Sequence, residues 1–369
     1  MTAPRLTPLA ASLPSTVPFV GPETHERQTG VAFAARMGAN ENVFGPSPKA
    51  VAAMRDALTG VWTYADPENH DLRAALARKH GVAPENIMVG EGIDGLLGVL
   101  ARLMVAPGTP VVVSQGGYPT FNFHVAGFGG KMHAVPFTDD DREDGFALMD
   151  KARETGAPLV YLANPDNPMG TWWSAEQIGE MIARLPEDTV LCLDEAYIDF
   201  APEGTEPPID VSDARVIRMR TFSKAYGMAG MRVGYAIGHE RLISAFDKVR
   251  NHFGMNKLGQ IAALAALEDG EWLAGIVRKV RKSCDEIARI ARECGLAPIP
   301  TATNFVAIDA GGDGALARRV VEEMGRRGVF IRMAFAAPQN RCIRVSAGRE
   351  EDLALFAQAL PEALSAARG

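Results

Sequence analysis

The run Val216-Ile217-Arg218-Met219 leads straight into Arg220-Thr221-Phe222-Ser223-Lys224-Ala225-Tyr226-Gly227. Its first half has the apolar, β-branched character of a short buried strand. Two hydroxyl residues and a lysine follow directly. Eight positions beyond the lysine stands Arg232, and Val233-Gly234-Tyr235-Ala236-Ile237 reads as another strand. The same arrangement, an apolar strand ending in polar residues, recurs upstream. Ile87-Met88-Val89 precedes Gly90-Glu91-Gly92, and Val111-Val112-Val113 precedes a turn. Leu159-Val160-Tyr161-Leu162 ends at an Asn-Pro segment, and Val190-Leu191-Cys192-Leu193 ends at Asp194-Glu195. Helical stretches separate these strands. Continuous apolar strands alternating with helices predict an α/β fold whose mostly parallel sheet is covered on both faces. Ligands of such sheets sit at the carboxyl ends of the strands. Asn167, Asp194 and Lys224 all fall just beyond predicted strands, so one shared site is expected.

Composition narrows the function classes. The chain has 369 residues, 47% hydrophobic, with a net charge of −7. It is long enough for a large core and two domains. The acidic balance, with no basic block, argues against a nucleic-acid partner. Cys192, Cys284, Cys294 and Cys342 form no C-x-x-C pair, which suits a reducing cytoplasm and gives no zinc spacing. The histidines likewise show no metal-ligand spacing, and no metal is expected. The first 20 residues contain four prolines and no apolar core, so they do not read as a signal peptide. No apolar run reaches membrane-spanning length, and no membrane partner is expected.

Residues 1–35 are proline-rich and read as an extended arm. Helices are predicted from Ser47 to about Leu58 and from Glu68 to His80, the latter stopped by Gly81. Residues 240–290 read as long helices. Strands near Phe305–Ile308 and Ile343–Val345 and a final helix from Glu350 predict a smaller α+β domain. The expected division is an arm over 1–38 that packs on the small domain, a large domain over 39–250, and a small domain over 251–369.

The polar segments suggest a chemistry. Lys224, with Thr221, Ser223 and Arg232 near a phosphate, suits a lysine that forms a Schiff base with pyridoxal phosphate, a cofactor that acts as an electron sink. Asp194 can cap the next helix, or it can pair with the cofactor's pyridine nitrogen and keep it protonated. Tyr197 would donate to the phenolic oxygen, and Asn167 would hold its amide toward the same atom. A cis Asn167–Pro168 bond is one option for that turn. Gly92, Ile93 and Asp94 lie between a strand and a helix, where backbone N–H groups can bind a phosphate dianion. The loop lacks G-x-G-x-x-G, which weakens a dinucleotide reading. Phe121 is the first choice for an aromatic stacked on the ring, and Tyr118 the second. Arg332 and Arg344, near predicted strands in the tail, have the planar fork that grips a carboxylate or phosphate.

Together these segments resemble the fold-type I enzymes dependent on pyridoxal phosphate, and within them the class I and II aminotransferases, histidinol-phosphate enzymes above all. The matching runs are Ala39-Asn40-Glu41-Asn42, Gly45-Pro46-Ser47-Pro48, Tyr64-Ala65-Asp66-Pro67, Gly90 to Gly95, Asn167-Pro168-Met169-Gly170, Asp194-Glu195-Ala196-Tyr197, Ser223-Lys224 with Arg232, and Cys342-Ile343-Arg344-Val345. The resemblance implies a three-layer α/β/α large domain on a seven-stranded sheet. It implies that Lys224 also moves the substrate proton, and that Tyr64 reaches the cofactor phosphate of a neighbouring subunit in a homodimer. Asn42, Arg344 and Arg332 would bind substrate, and Phe19 would stand where a tyrosine often closes the pocket. The implied reaction passes an amino group between glutamate and a keto acceptor, with histidinol phosphate the first choice of second substrate. Alternatives are an aromatic or other amino acid, or decarboxylation of a phosphorylated amino acid. A cofactor-sensing regulator would need a DNA-binding domain, for which 35 preceding residues are too few. Met169 in place of threonine, Val43-Phe44 in place of Pro-Tyr, Gly95 in place of an acid, and Phe121 depart from the family pattern on the substrate side.

Overall fold

The computed structural model describes residues 4–15 and 20–369. Seven strands form the large sheet: β1 Ile87–Gly90, β2 Pro110–Ser114, β3 Lys131–Val135, β4 Leu159–Ala163, β5 Val190–Asp194, β6 Val216–Thr221 and β7 Gly234–Gly238. Their spatial order is β1-β7-β6-β5-β4-β2-β3. β3, β2, β4, β5 and β6 run parallel, while β7 is antiparallel to both β6 and β1. Every residue of β4, β6 and β7 is buried. Helices cover both faces of these strands, which explains their nearly unbroken apolar runs. One layer centres on Leu96, Leu97 and Leu100 of the helix Gly92–Met104. Another centres on Leu148, Met149, Ile178 and Met181 of the helices Gly145–Thr155 and Ala175–Arg184.

Helix boundaries follow local chemistry. Pro48–Ala57 starts behind Ser47, whose hydroxyl accepts the Ala50 N–H, with proline at the first position. The second predicted helix begins at His70, not Glu68. Asn69 adopts a left-handed conformation with φ of 52°, and the Asp66 carboxylate takes the N–H groups of Glu68 and His70. It ends at Gly81, also left-handed.

The carboxyl ends of β2, β4, β5 and β6 place Ser114, Ala163, Asp194 and Thr221 along one edge. Ala163 pairs with Asp194, and Asp194 with Met219. Gly234 pairs with both Thr221 and Gly90, which brings the start of the helix Gly92–Met104 to the same edge. A side chain at Gly234 would put its Cβ 2.6 Å from the Gly92 carbonyl carbon, so this approach requires glycine.

A second sheet is built from β8 Ala297–Pro298, β9 Phe305–Asp309, β10 Arg332–Met333 and β11 Cys342–Ser346, in the order β10-β11-β9-β8 and antiparallel throughout. Its core packs on the helices Gly270–Glu293, Gly314–Arg326 and Glu350–Arg368 through residues such as Ile287, Val320 and Phe356.

The N-terminal arm is not simply extended. It contains the helices Pro8–Ser12 and Pro22–Thr29, and Ala35–Arg36 pairs in parallel with Val329–Phe330. Pro8 and Pro22 stand at the first positions of these helices, where the missing N–H costs little. All four cysteines are free. No helix among the described residues is long and apolar enough to cross a membrane, and those residues contain no cluster of metal-ligating side chains.

Candidate active site

The polar edge of the large sheet faces β10 and β11 of the small one across a cavity of about 370 Å³. Lys224, Asp194, Tyr197, Thr221, Ser223 and Arg232 line it from the large sheet, and Ile93 and Asp94 from the helix start. Asn167 comes from the turn after β4, and Arg332 and Arg344 come from β10 and β11. Segments some 250 residues apart in sequence thus meet at one place.

Lys224 Nζ donates to the Asn40 carbonyl at 3.1 Å and lies 5.5 Å from the centre of the Tyr197 ring. Burial, and then the positive charge of Arg344, lowers its ammonium to about 8. A neutral amine is therefore within reach near physiological pH. Asp194 is held rigidly. Its Oδ1 accepts the Ala196 N–H at 2.9 Å, and its Oδ2 accepts the Tyr161 hydroxyl at 2.6 Å. Burial raises its carboxyl to about 6, against the pull of these two hydrogen bonds. Tyr197 receives the Asn40 amide at 3.1 Å, and burial raises its phenol to about 12, so it stays a hydroxyl donor.

Thr221, Ser223 and Arg232 form one corner. The Thr221 hydroxyl donates to the Val233 carbonyl and accepts the Ser223 N–H. Arg232, in the left-handed region at φ 52°, reaches Ser223 Oγ at 3.4 Å and the Glu91 carbonyl at 3.5 Å. Gly92 sits just behind with φ of 77°, and a Cβ there would lie 2.5 Å from Arg232 Nη2. The open N-terminus of a 13-residue helix, two hydroxyls and a guanidinium converge, which is the donor set that a phosphate dianion requires.

On the opposite wall, Arg344 Nη1 donates to Asn167 Oδ1 at 2.5 Å. Its Nε is buried without a hydrogen-bond partner among the described residues. Burial lowers the Arg344 guanidinium to about 10, and it lowers Arg332 as well. Arg332 donates to the Val20 carbonyl at 2.7 Å. Two arginines desolvated side by side favour any anion that joins them.

Some expectations need correction. Phe121 is fully buried and stacks on Tyr161 with ring centres 4.6 Å apart, inside the sheet–helix core. Tyr118, three residues earlier, lines the cavity instead, together with Tyr161 and Tyr197. Tyr118 precedes the helix Pro119–Gly127, while Phe121 lies on that helix and turns into the core. Asn42 does not line the cavity. Its amide donates to the Lys224 and Ala225 carbonyls, tying the two segments together, and Asn40 and Glu41 face the cavity instead. The cis peptide of the Asn-Pro turn is Asn164–Pro165, not Asn167–Pro168. Tyr64 is 79% exposed, packs on Phe253, and lies outside this chain's own cavity. Phe19 lies outside the described residues.

Other contributors escaped sequence reasoning. Tyr161 is a hydroxyl in an apolar strand two residues before Ala163, the partner of Asp194, so it shares that face. Strand alternation was the available signal. Glu195 accepts from Arg218 and Arg220, all three buried, directly behind Asp194. Burial works to raise the Glu195 carboxyl, but the two guanidiniums outweigh it and leave it below the usual range. No spacing rule links residues 195, 218 and 220; the β5–β6 register does.

This fold, with a half-buried lysine and a buried aspartate at the sheet edge, defines a class of transferase. Residues 35–360 match the family model described as aminotransferase class I and II, and the chain belongs to that family. It is 35% identical over 351 residues to histidinol-phosphate aminotransferase 2 of Carboxydothermus hydrogenoformans, covering 92% of this chain and 94% of that one. The crystal structure of histidinol-phosphate aminotransferase from Sinorhizobium meliloti in complex with pyridoxal-5'-phosphate superposes with a TM-score of 0.96 at 53% identity, covering 99% of each chain. L-threonine-O-3-phosphate decarboxylase from Porphyromonas gingivalis, at 21% identity and a TM-score of 0.75 over 90% of this chain and 99% of that one, shares the fold alone.

Proposed function

We propose that the chain is a histidinol-phosphate aminotransferase that uses pyridoxal phosphate and exchanges amino groups with glutamate and 2-oxoglutarate. The observation that carries this reading is one cavity holding Lys224 and Asp194 on one wall and two desolvated arginines on the other. The donor set fits the cofactor. Thr221, Ser223, Arg232 and the N–H groups at Ile93 and Asp94 would hold its phosphate, Asp194 its pyridine nitrogen, and Tyr197 and Asn167 its phenolic oxygen. Tyr118 would cover the ring face. When bound, pyridoxal phosphate supplies an electron sink for the bond broken at the substrate α-carbon.

The protein's own groups do the rest. Asp194, ionised above about pH 6, fixes a proton on the atom it faces. Lys224 Nζ, lowered to about 8, takes the substrate proton and returns it one position away. Arg344 would bind the carboxylate of glutamate and, with Arg332, the phosphate of histidinol phosphate, because its buried Nε offers a donor that neither Asn167 nor the backbone uses.

The reading includes a homodimer with shared sites, in which Tyr64 completes the partner's phosphate corner. An exposed apolar cluster of Val61, Trp62, Tyr64 and Phe253 supports it, since a single chain rarely leaves such a patch in water. A cytoplasmic location suits the four free cysteines.

A half-reaction screen tests the assignment. The cofactor-loaded protein is mixed in turn with histidinol phosphate, glutamate and a panel of aromatic, aliphatic and basic amino acids, and its visible absorbance is followed. Conversion by histidinol phosphate and glutamate is expected. Conversion by amino acids only would reassign the arginines to a carboxylate and overturn the substrate. Release of carbon dioxide from a phosphorylated amino acid would overturn the reaction class.

A further inference from the structure

Behind the Asn167 turn, two acidic side chains are buried against each other. Glu143 is 1% exposed and Asp166 is 2% exposed. Glu143 Oε2 accepts the Ser114 hydroxyl at 2.9 Å and the Ala163 N–H at 3.3 Å, which pins it between the ends of β2 and β4. Asp166 Oδ2 accepts the Met169 N–H at 2.8 Å. Each residue keeps one further carboxyl oxygen, Glu143 Oε1 and Asp166 Oδ1. Both are buried, and neither meets a hydrogen-bond donor among the described residues. Two carboxylates cannot both be ionised there, because the desolvated repulsion is too large. Burial and the neighbouring Asp166 charge raise Glu143 well above the usual range, so Glu143 is the group that keeps the proton. Asp166 is raised by burial to about 7, held down by its hydrogen bonds and by Arg344.

We propose that Glu143 donates a hydrogen bond from Oε1 to Asp166 Oδ1, and that this proton-sharing pair positions the Asn167 turn and, through it, Arg344. The chain of contacts is continuous. Asp166 N–H donates to the Thr171 carbonyl, and its own carbonyl accepts the Gly170 N–H, so the turn is closed around Asp166. The next residue, Asn167, receives Arg344 Nη1. The charged and titratable groups facing the pair are Asp141, Tyr161, Tyr197 and Arg344. Asp141 is itself held by Arg341 and Gln339. The proposal rests on the aminotransferase reading for its kinetic consequence only.

The test has two independent arms. In cofactor-loaded protein at neutral pH, the infrared spectrum of wild type minus Glu143→Gln should show the carbonyl band of a protonated carboxyl. No such band means Glu143 is ionised and overturns the pair, whatever the enzyme acts on. In the kinetic arm, Glu143→Ala should raise KM for the anionic substrate roughly tenfold with a smaller change in kcat, because a misplaced Arg344 weakens binding first. Glu143→Gln keeps a donor at the Oε1 position and should restore most of the loss. In wild type, KM should climb at alkaline pH as the shared proton leaves. In Glu143→Gln, which has no such proton, KM should stay flatter. Equal KM in wild type and Glu143→Ala, or equal damage from alanine and glutamine, would overturn the positioning role. If Glu143→Ala does not fold, the infrared arm and the pH profile of Glu143→Gln still decide.

Discussion

At the residue scale, the site depends on two groups whose ionisation is set by burial. Lys224 is the sharper case. Replacing it with alanine removes the only lysine that lines the cavity among the described residues, and should abolish the visible absorbance that bound cofactor gives the wild type. Turnover should fall at least ~10³-fold, the range that a lost general base commands. A Lys224→Ala variant that still transaminated like wild type would remove the residue from its role. Asp194 offers a pH test. Its carboxyl is raised from an ordinary 3.8 to about 6, so the folded chain holds the proton longer than the unfolded one. Without cofactor, Asp194 therefore costs stability as pH rises through that window. Cofactor binding needs the ionised form. Tyr161→Phe deletes the 2.6 Å hydrogen bond that favours ionisation. The acid limb of cofactor binding, read from absorbance across pH, should then move up by about one unit. An unmoved limb would mean that Tyr161 only fills space.

At the scale of elements, the sequence announced much of the arrangement and hid specific parts of it. The apolar runs ending at Leu162, Leu193 and Met219 mark parallel strands, and the polar residues after them fall at one edge by the geometry of the fold. The Tyr118–Phe121 choice was not legible, because a helix starting at Pro119 decides which ring turns inward. Asn40 and Glu41 face the cavity while Asn42 does not. A loop without period gives no rule for which side chain points where. The Arg218–Glu195–Arg220 cluster depends on register between strands, which no single segment contains. The start of the helix Gly92–Met104 yields a prediction at this scale. Gly92 has φ of 77° and no room for a Cβ beside Arg232. Gly92→Ala should strain the turn and push the guanidinium out of the phosphate corner, weakening cofactor retention roughly tenfold. Equilibrium dialysis against pyridoxal phosphate measures this directly. Unchanged affinity would show that the corner tolerates the shift and that the glycine serves only the turn.

At the scale of the whole molecule, the proposed homodimer would complete each site with a residue from the other chain. The proposed phosphate corner comprises Thr221, Ser223, Arg232 and a helix start, while Tyr64 projects from the surface beside Phe253, 79% exposed. Trp62 is more exposed still, at 85%. Side chains of this size in water favour association, and in the proposed dimer each tyrosine would serve the other subunit's cavity. Complementation separates shared sites from self-contained ones. Lys224→Ala and Tyr64→Ala chains, each inactive or weak alone, are co-expressed with different affinity tags so that the mixed dimer can be isolated. If Tyr64 serves the partner, the mixed dimer has one site with both lesions and one with neither. It should then recover about half of the wild-type activity per dimer, and an unsorted random mixture about a quarter. If Tyr64 serves its own chain, every site in the mixed dimer carries one lesion and no activity returns. Recovery in the mixed species alone would tie cofactor binding to assembly, and dilution below the dimer's dissociation constant would then release pyridoxal phosphate along with activity.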